Sequence, residues 1–309
     1  MGSLDPEGPV AEAIADLWWL MLALGAAVFV VFAVLLAVGL LRRPAKDTDP
    51  GRAESELVRR WIIPGGVVMP LVVLIVVFGA TIAAMRFVPT TAPPEALVIE
   101  VVGHQFWWEV RYPQEGITTT NELHIPVGQP VAFELTSADV IHSFWVPSLA
   151  GKIDMIPGRT THLRMKADHA GVFRGQCAEY CGGPHALMAF EVVAMPPDEF
   201  ETWLQQQAAP AAAPTAENAQ RGLDLFLAAG CGSCHTVRGT AAAGTIGPDL
   251  THLGSRRSVG IDTAAMTEDN VARFIRDGQH VKPGNRMPPF RVFAPADLAA
   301  VSAYLTGLR

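Results

Sequence analysis

The sequence predicts a multidomain chain: a hairpin of two transmembrane helices, then an all-β domain, then a small all-α domain. Three observations carry this. Two long apolar runs, 17–41 and 62–84, sit near the start. From about Ala96 the texture changes to short alternating runs punctuated by Gly and Pro, as in a β-sandwich or barrel. Beyond an Ala/Pro-rich stretch, residues 217–309 carry helical texture. A chain of 309 residues is long enough for two or three domains with cores of their own.

Each apolar run is free of charge and long enough to cross hydrocarbon roughly 30 Å thick. Pro64 and Pro70 are tolerable in a membrane helix. Two such runs in tandem argue against buried helices of a soluble core. The loop between them holds Arg42, Arg43, Lys46, Arg52, Arg59 and Arg60, whereas the lead 1–16 holds only Asp5, Glu7, Glu12 and Asp16 as charges. The positive-inside rule then puts the loop in the cytoplasm and both termini, with all of 86–309, outside it. No charged n-region with a cleavage site precedes the first span, so a signal peptide is expected to be already gone or never present.

The β-region is expected over 86–204, with strand-like runs at 97–102, 107–112, 131–135 and 162–165. Pro196-Pro197-Asp198 starts a short helix to about Gln207. Residues 205–216 read as a semi-extended, exposed linker. Helices are expected at 219–229, 267–277 and 295–308, the last opened by Pro295-Ala296-Asp297. Residues 86–209 carry fourteen acidic and seven basic side chains, and 217–309 carry eight and ten. That asymmetry suits guided docking of one domain on the other, and equally suits two solvated surfaces. The chain as a whole has a net charge of −7, and no nucleic-acid partner is expected.

Four cysteines outside the cytoplasm would ordinarily suggest two disulfides. Their spacing argues for cofactors. Cys177 and Cys181 are followed by His185 and Met188, so four soft or borderline donors fall within twelve positions. Sulfur with imidazole points to copper or zinc. Zinc could take Cys177, Cys181, His185 and His142, but has little use for Met188. A mononuclear copper site needs one thiolate; two cysteines suit a pair of coppers that both bridge, each copper keeping one imidazole. His142, in 139–149, offers the second imidazole. Separately, Cys231-Gly232-Ser233-Cys234-His235 is the pattern of c-type haem attachment, with His235 under the iron. A thioredoxin-like pair is the rival and lacks a βαβ context. Met287, in Gly284-Asn285-Arg286-Met287-Pro288-Pro289-Phe290, is the expected second axial ligand, with Met266, His252 and His280 as competitors. His104, His124, His162 and His169 read as structural.

On these residues, together with 152–159, the chain from the hairpin to about Ala194 closely resembles subunit II of haem–copper cytochrome c oxidases. The resemblance implies a cupredoxin-like Greek-key barrel holding a dinuclear CuA centre. His142, Cys177, Cys181, His185 and Met188 would be side-chain ligands and Glu179 would ligate through its carbonyl. The Glu179 side chain would also reach a magnesium ion at the border with subunit I. Ile246-Gly247-Pro248-Asp249-Leu250 resembles the class I cytochrome c fold, where the Pro248 carbonyl orients the proximal histidine. The implied function is electron transfer in a terminal respiratory oxidase, from haem c to CuA and on to the oxygen-reducing haem and copper of subunit I. Implied partners are subunit I, subunit III, an upstream donor such as a cytochrome c or a quinol:cytochrome c reductase, and the lipid bilayer. A CuA-bearing subunit of a nitric oxide reductase and a membrane-anchored electron carrier are the alternatives; a quinol-oxidase subunit is disfavoured because those homologues lack the copper ligands.

Two departures from the family stand out. Phe106 follows Gln105 where the family usually has the Trp that accepts electrons, leaving Trp107 or Trp108 for that role. Three residues before Trp61, where a proton-channel Glu often stands, is Val58; Glu56 and Glu54 are nearby, and Glu56 is expected to be a solvated loop carboxylate.

Overall fold

The computed structural model describes residues 2, 4–42, 50–87, 96–260 and 264–309, without the side chains of 50–53 and 87. Arg43 and Lys46 of the basic loop therefore lie outside the described residues, as does the side chain of Arg52. The chain divides into two compact units, 12–89 and 1–11 with 90–309.

The first unit is the hairpin. Its helices, Pro9–Leu41 and Glu54–Ala84, are both long and apolar enough to cross a membrane, and no part of their apolar windows is buried within the protein. Phe29, Leu40, Leu74 and Phe78 are all exposed. A water-facing helix could not carry such an all-round apolar surface, whereas lipid accepts it. Glu56 lies within the second helix and not in a loop, correcting the expectation; it pairs with Arg60 at 2.8 Å. Around Pro64, whose ring removes one amide donor, the ladder widens: Ile63 N–H donates to Val58 O and Met69 N–H to Pro64 O, five residues back.

The second unit opens on the lead, which is more than a polar tail: Glu7 N–H donates to Ser148 O at 2.7 Å and Asp168 N–H to Glu7 O at 2.9 Å. Among the described residues up to Met195, ten strands follow: β1 Leu97–His104, β2 Trp107–Tyr112, β3 Ile117–Thr120, β4 Glu122–Pro126, β5 Val131–Ser137, β6 His142–Trp145, β7 Ile153–Met155, β8 Thr161–Met165, β9 Gly171–Cys177 and β10 Ala189–Met195. They form two five-stranded sheets ordered β3-β2-β1-β5-β8 and β4-β10-β9-β6-β7. β1 and β5 pair in parallel, as do β4 and β10, and the other pairs within these sheets are antiparallel. Alternation places Ile99 and Val101 of β1 inward, against Trp108, Phe133, Phe144 and Phe190. The Tyr112 hydroxyl donates to His124 O at 2.9 Å and accepts from His124 N–H at 2.8 Å, tying β2 to β4 across the sandwich.

The helix after the strands spans Pro197–Ala208, so 205–208 are helical rather than linker. The extended stretch beyond it is pinned: Ala211 N–H donates to Arg238 O at 2.9 Å, and His252 Nε2 lies 3.0 Å from Ala209 O. Helices Glu217–Ala228, Glu268–Val281 and Pro295–Thr306 then surround a core of Phe226, Val271, Ile275, Val301 and Tyr304. Thr267 caps the second of these by accepting from Asn270 N–H at 3.3 Å, and Asp277 breaks its regular dihedrals near the end.

Candidate metal and haem sites

The first site grows from the end of the second sheet. β6 pairs with β9 so that Phe144 faces Cys177, and β10 begins at Ala189 directly after Met188. The residues between Cys177 and Met188 therefore form a loop returning to its starting strand, and Cys177 N–H donates to Met188 O at 2.9 Å. Pairing of adjacent strands brings His142 to the loop across 35 residues of sequence. The ligand atoms of His142, Cys177 and Cys181 all lie within 4.8 Å of one another, and all three residues are buried.

Around this nucleus the Cys177 and Cys181 sulfurs are 3.8 Å apart and free, far beyond a disulfide bond. His185 Nδ1 lies 3.6 Å from Cys181 Sγ, Met188 Sδ lies 3.7 Å from it, and the Glu179 carbonyl lies 3.1 Å from Cys177 Sγ. His142 Nδ1 is 3.9 Å from Cys177 Sγ. The two imidazoles thus approach the thiol pair beside different sulfurs. His142 Nε2 lies 2.9 Å from the Asp139 carboxylate, which leaves Nδ1 facing the thiols. Behind the ring stands Gly103, where a Cβ would come within 2.8 Å of His142 Cδ2.

The electrostatics favour one thiolate held among proton donors. The hydrogen bond from Cys181, then that with His142, hold the Cys177 thiol well below its ordinary pKa against the cost of burial. Cys181 is pushed the other way by its Cys177 partner and by burial. Burial opposes charge on His142, but hydrogen bonds to Cys177 and Asp139 outweigh it and raise its pKa. A cation would replace the protons that hold this cluster together.

The second site is a cavity of about 330 Å³ lined by Cys231, Cys234, His235 and Met287. The helix Glu217–Ala228 is followed by left-handed Gly230, and a tight turn at Cys231–Ser233 then presents both thiols and His235. His235 Nδ1 lies 2.8 Å from the Pro248 carbonyl, leaving Nε2 for a metal. Gly247 packs against the ring, since a Cβ there would fall 2.6 Å from His235 Cε1. Burial lowers the pKa of His235, which favours the neutral, ligating form. Phe226, Leu253, Phe274 and Phe290 add an apolar wall. Arg256 also lines the cavity, and its Nε is buried without a hydrogen-bond partner among the described residues. Two thiols, one oriented imidazole, a thioether, apolar walls and an unpaired guanidinium nitrogen fit a haem with its acidic propionates. Met266 packs into the core outside this lining, His252 is engaged by Ala209, and His280 is exposed, so Met287 is favoured among the four axial candidates.

Two of the remaining histidines have structural partners. His104 lies 3.0 Å from Glu109 and stacks on Trp107, and His124 lies 3.1 Å from Glu122 and stacks on Trp203. Trp108 is wholly buried, whereas Trp107 and Phe106 line the haem cavity. The sequence reading missed three contributors at this junction: Gln105, Lys282 and Arg286. Lys282 is buried, its ammonium donates to the Phe106 carbonyl at 2.6 Å, and burial lowers its pKa to about 7.

A membrane-anchored β-sandwich with a thiolate–imidazole cluster, joined to a haem cavity, defines an electron-transfer subunit of a respiratory complex. Family comparison agrees. Residues 114–195 match the periplasmic domain of cytochrome c oxidase subunit II, and 219–309 match cytochrome c. Cytochrome c oxidase subunit 2 of Alkalihalophilus pseudofirmus is 38% identical over 99% of this chain and 90% of its own length. Quinol oxidase subunit 2 of Bacillus spizizenii is 33% identical over 66% of this chain and 65% of its own. The solved periplasmic domain of cytochrome oxidase subunit II from Bradyrhizobium japonicum is 32% identical, covers 38% of this chain and 96% of that one, and superposes with a TM-score of 0.37. The chain belongs to the cytochrome c oxidase subunit II family, in a form fused to a cytochrome c domain. It is an electron-transfer subunit of a haem–copper terminal oxidase; the family implies CuA copper, haem c, subunit I as partner and a membrane setting.

Proposed function

We propose that this chain feeds electrons into a cytochrome c oxidase, with Cys231, Cys234, His235 and Met287 holding haem c and His142, Cys177, Glu179, Cys181, His185 and Met188 holding a two-copper CuA centre. When bound, these groups supply one-electron redox chemistry, accepting electrons from an upstream cytochrome or reductase and delivering them to subunit I for oxygen reduction. The residues do the positioning. Asp139 and Pro248 fix one nitrogen of each imidazole so that the other points at its metal. Cys177 and Cys181 would share thiolate charge with the metal centre they hold, so that one added electron would perturb it little.

The observation that carries this reading is the clustering of His142, Cys177 and Cys181 within 4.8 Å in the same compact unit as the Cys231–His235 cavity. The basic loop between the helices supports a cytoplasmic loop with both termini and the two sites outside. Domains at 86–204 and 217–309, joined by a short linker, subunit III as a further neighbour and a magnesium ion at Glu179 complete the proposal. Electron paramagnetic resonance with metal analysis on the purified oxidase tests it. Two coppers sharing one unpaired electron and one covalent haem per chain are expected; zinc, or a single copper with a simple hyperfine pattern, would refute the dinuclear site. Quinol oxidase relatives raise a second reading, which the intact thiol and imidazole set argues against. Turnover with quinol and none with a reduced cytochrome would decide for it.

A further inference from the structure

The haem cavity and the thiolate cluster meet at one side chain. Gln105, in the turn between β1 and β2, donates from its side-chain Nε2 to the Cys181 carbonyl at 2.6 Å. Its backbone N–H donates to the Asp139 carboxylate at 2.7 Å, the same carboxylate that holds His142. Its side-chain oxygen accepts from the guanidinium of Arg286, the residue before Met287. Three bonds therefore run from one glutamine to both ends of the copper-type cluster and to the neighbour of the haem-site thioether. Two further contacts seat the same loop. Lys282 donates to Phe106 O at 2.6 Å, and Gly284 lies against Pro184, where a Cβ would be 2.9 Å from the proline ring.

We propose that Arg286 and Gln105 are the positioning pair that couples the two redox sites, aligning the Met287 loop with the Cys181 end of the cluster and orienting the Cys181 carbonyl. A guanidinium is suited to this because its planar fork can hold the amide oxygen while the amide's opposite end donates to the carbonyl. A rotated Gln105 amide would leave Cys181 O facing an oxygen and Arg286 facing a donor, so the arrangement has one sense only. The inference rests on the proposed electron relay. One electron leaves the haem iron, ferrous becoming ferric, and one enters the copper pair, with no bond made or broken.

The test uses the assembled oxidase carrying Arg286→Met, Arg286→Lys or Gln105→Met, with Arg291→Met as a control. Arg291 is a cation of the same domain, paired with Asp277. Two measurements are made: the rate of haem-to-copper transfer after photoreduction, and hydrogen exchange at residues 282–287 and 104–106 in chain depleted of copper. Arg286→Met and Gln105→Met are each expected to slow transfer by roughly ten- to a hundredfold, with copper content and haem spectrum kept. Both should also lose exchange protection at the two segments, and Arg291→Met should change neither quantity. Arg286→Lys should rescue little, because a point charge restores attraction but not the fork; full rescue by lysine would overturn the positioning role in favour of simple charge attraction. Transfer within about twofold of the parent in Arg286→Met and Gln105→Met, at full metal content, would sink the proposal. Arg286 is not among the proposed copper ligands and bonds to Gln105 rather than to them, so its variant decides the matter even if Gln105→Met loses copper. Absence of the copper pair or haem from the parent oxidase would instead count against the proposed function.

Discussion

The thiolate cluster and the haem cavity lie in one compact unit but are built by opposite means. The cluster is made by strands: His142 reaches Cys177 because β6 pairs with β9, and His142, Cys177, Cys181 and Met188 are all buried. The cavity is made by a short local turn, with Cys231, Cys234 and His235 only half-buried and Met287 supplied by a loop. Each nevertheless fixes its histidine in the same way, through a hydrogen bond to one nitrogen and a glycine packed against the ring, Gly103 in one case and Gly247 in the other. An exchangeable metal needs ligands held in place beforehand, whereas a covalently attached group needs anchors and apolar walls.

Removing an anchor should separate the two sites most sharply. Cys177→Ser is expected to abolish the copper signal and electron delivery to subunit I while leaving the covalent haem spectrum intact. Paramagnetic resonance and optical spectra of the same sample read both, and joint loss would show the sites to be interdependent.

The difference in burial predicts a stability asymmetry. Phe144 is fully buried between Trp108, Phe133 and Phe190. Phe144→Ala should cost about 3–5 kcal/mol and release copper on mild denaturation before the haem spectrum changes. Denaturant titration of the detergent-solubilised chain checks the order.

A smaller effect belongs to the group behind the imidazole. Asp139→Asn should weaken copper retention by roughly 10–100-fold, measured by competition with a chelator, with the haem spectrum unaltered. Equal retention would show that strand pairing alone orients His142.

The smallest effect concerns the contact between the two regions. Glu122 is buried, yet hydrogen bonds from His124 and from the Arg257 backbone N–H outweigh that burial and hold its pKa below the ordinary 4.5. Arg257 also pairs with Glu191 at 3.0 Å. A depressed folded pKa contributes stability above the unfolded value that is lost as pH falls through the folded one. Exchange protection factors around Arg257, corrected for the intrinsic pH dependence of amide exchange, should therefore be flat at neutral pH and fall below about pH 4.5. Glu122→Gln should abolish that acid-dependent part.

Much was legible in the sequence where ligands are local. Cys177 to Met188 and Cys231 to His235 each occupy one loop or turn, so spacing alone exposes their chemistry. The apolar runs were legible for a similar reason, because lipid acts on composition, although the helices extend beyond them. Strands such as β3 and β7 were not, being short and lacking a clean alternation. Nor was the linker's anchorage, because Ala211 gains its partner only once Arg238 is folded beside it.

By itself, the sequence determined that this chain carries two runs long and apolar enough to cross a membrane, one soft-metal loop and one haem-attachment motif, since each of these signals is written in contiguous residues. The tertiary structure alone decided that Met287 rather than Met266 lines the haem cavity, and that Gln105 stands between Cys181 and Arg286. Those facts depend on contacts between residues up to 181 positions apart, and no local pattern encodes a contact that exists only after two cores have packed.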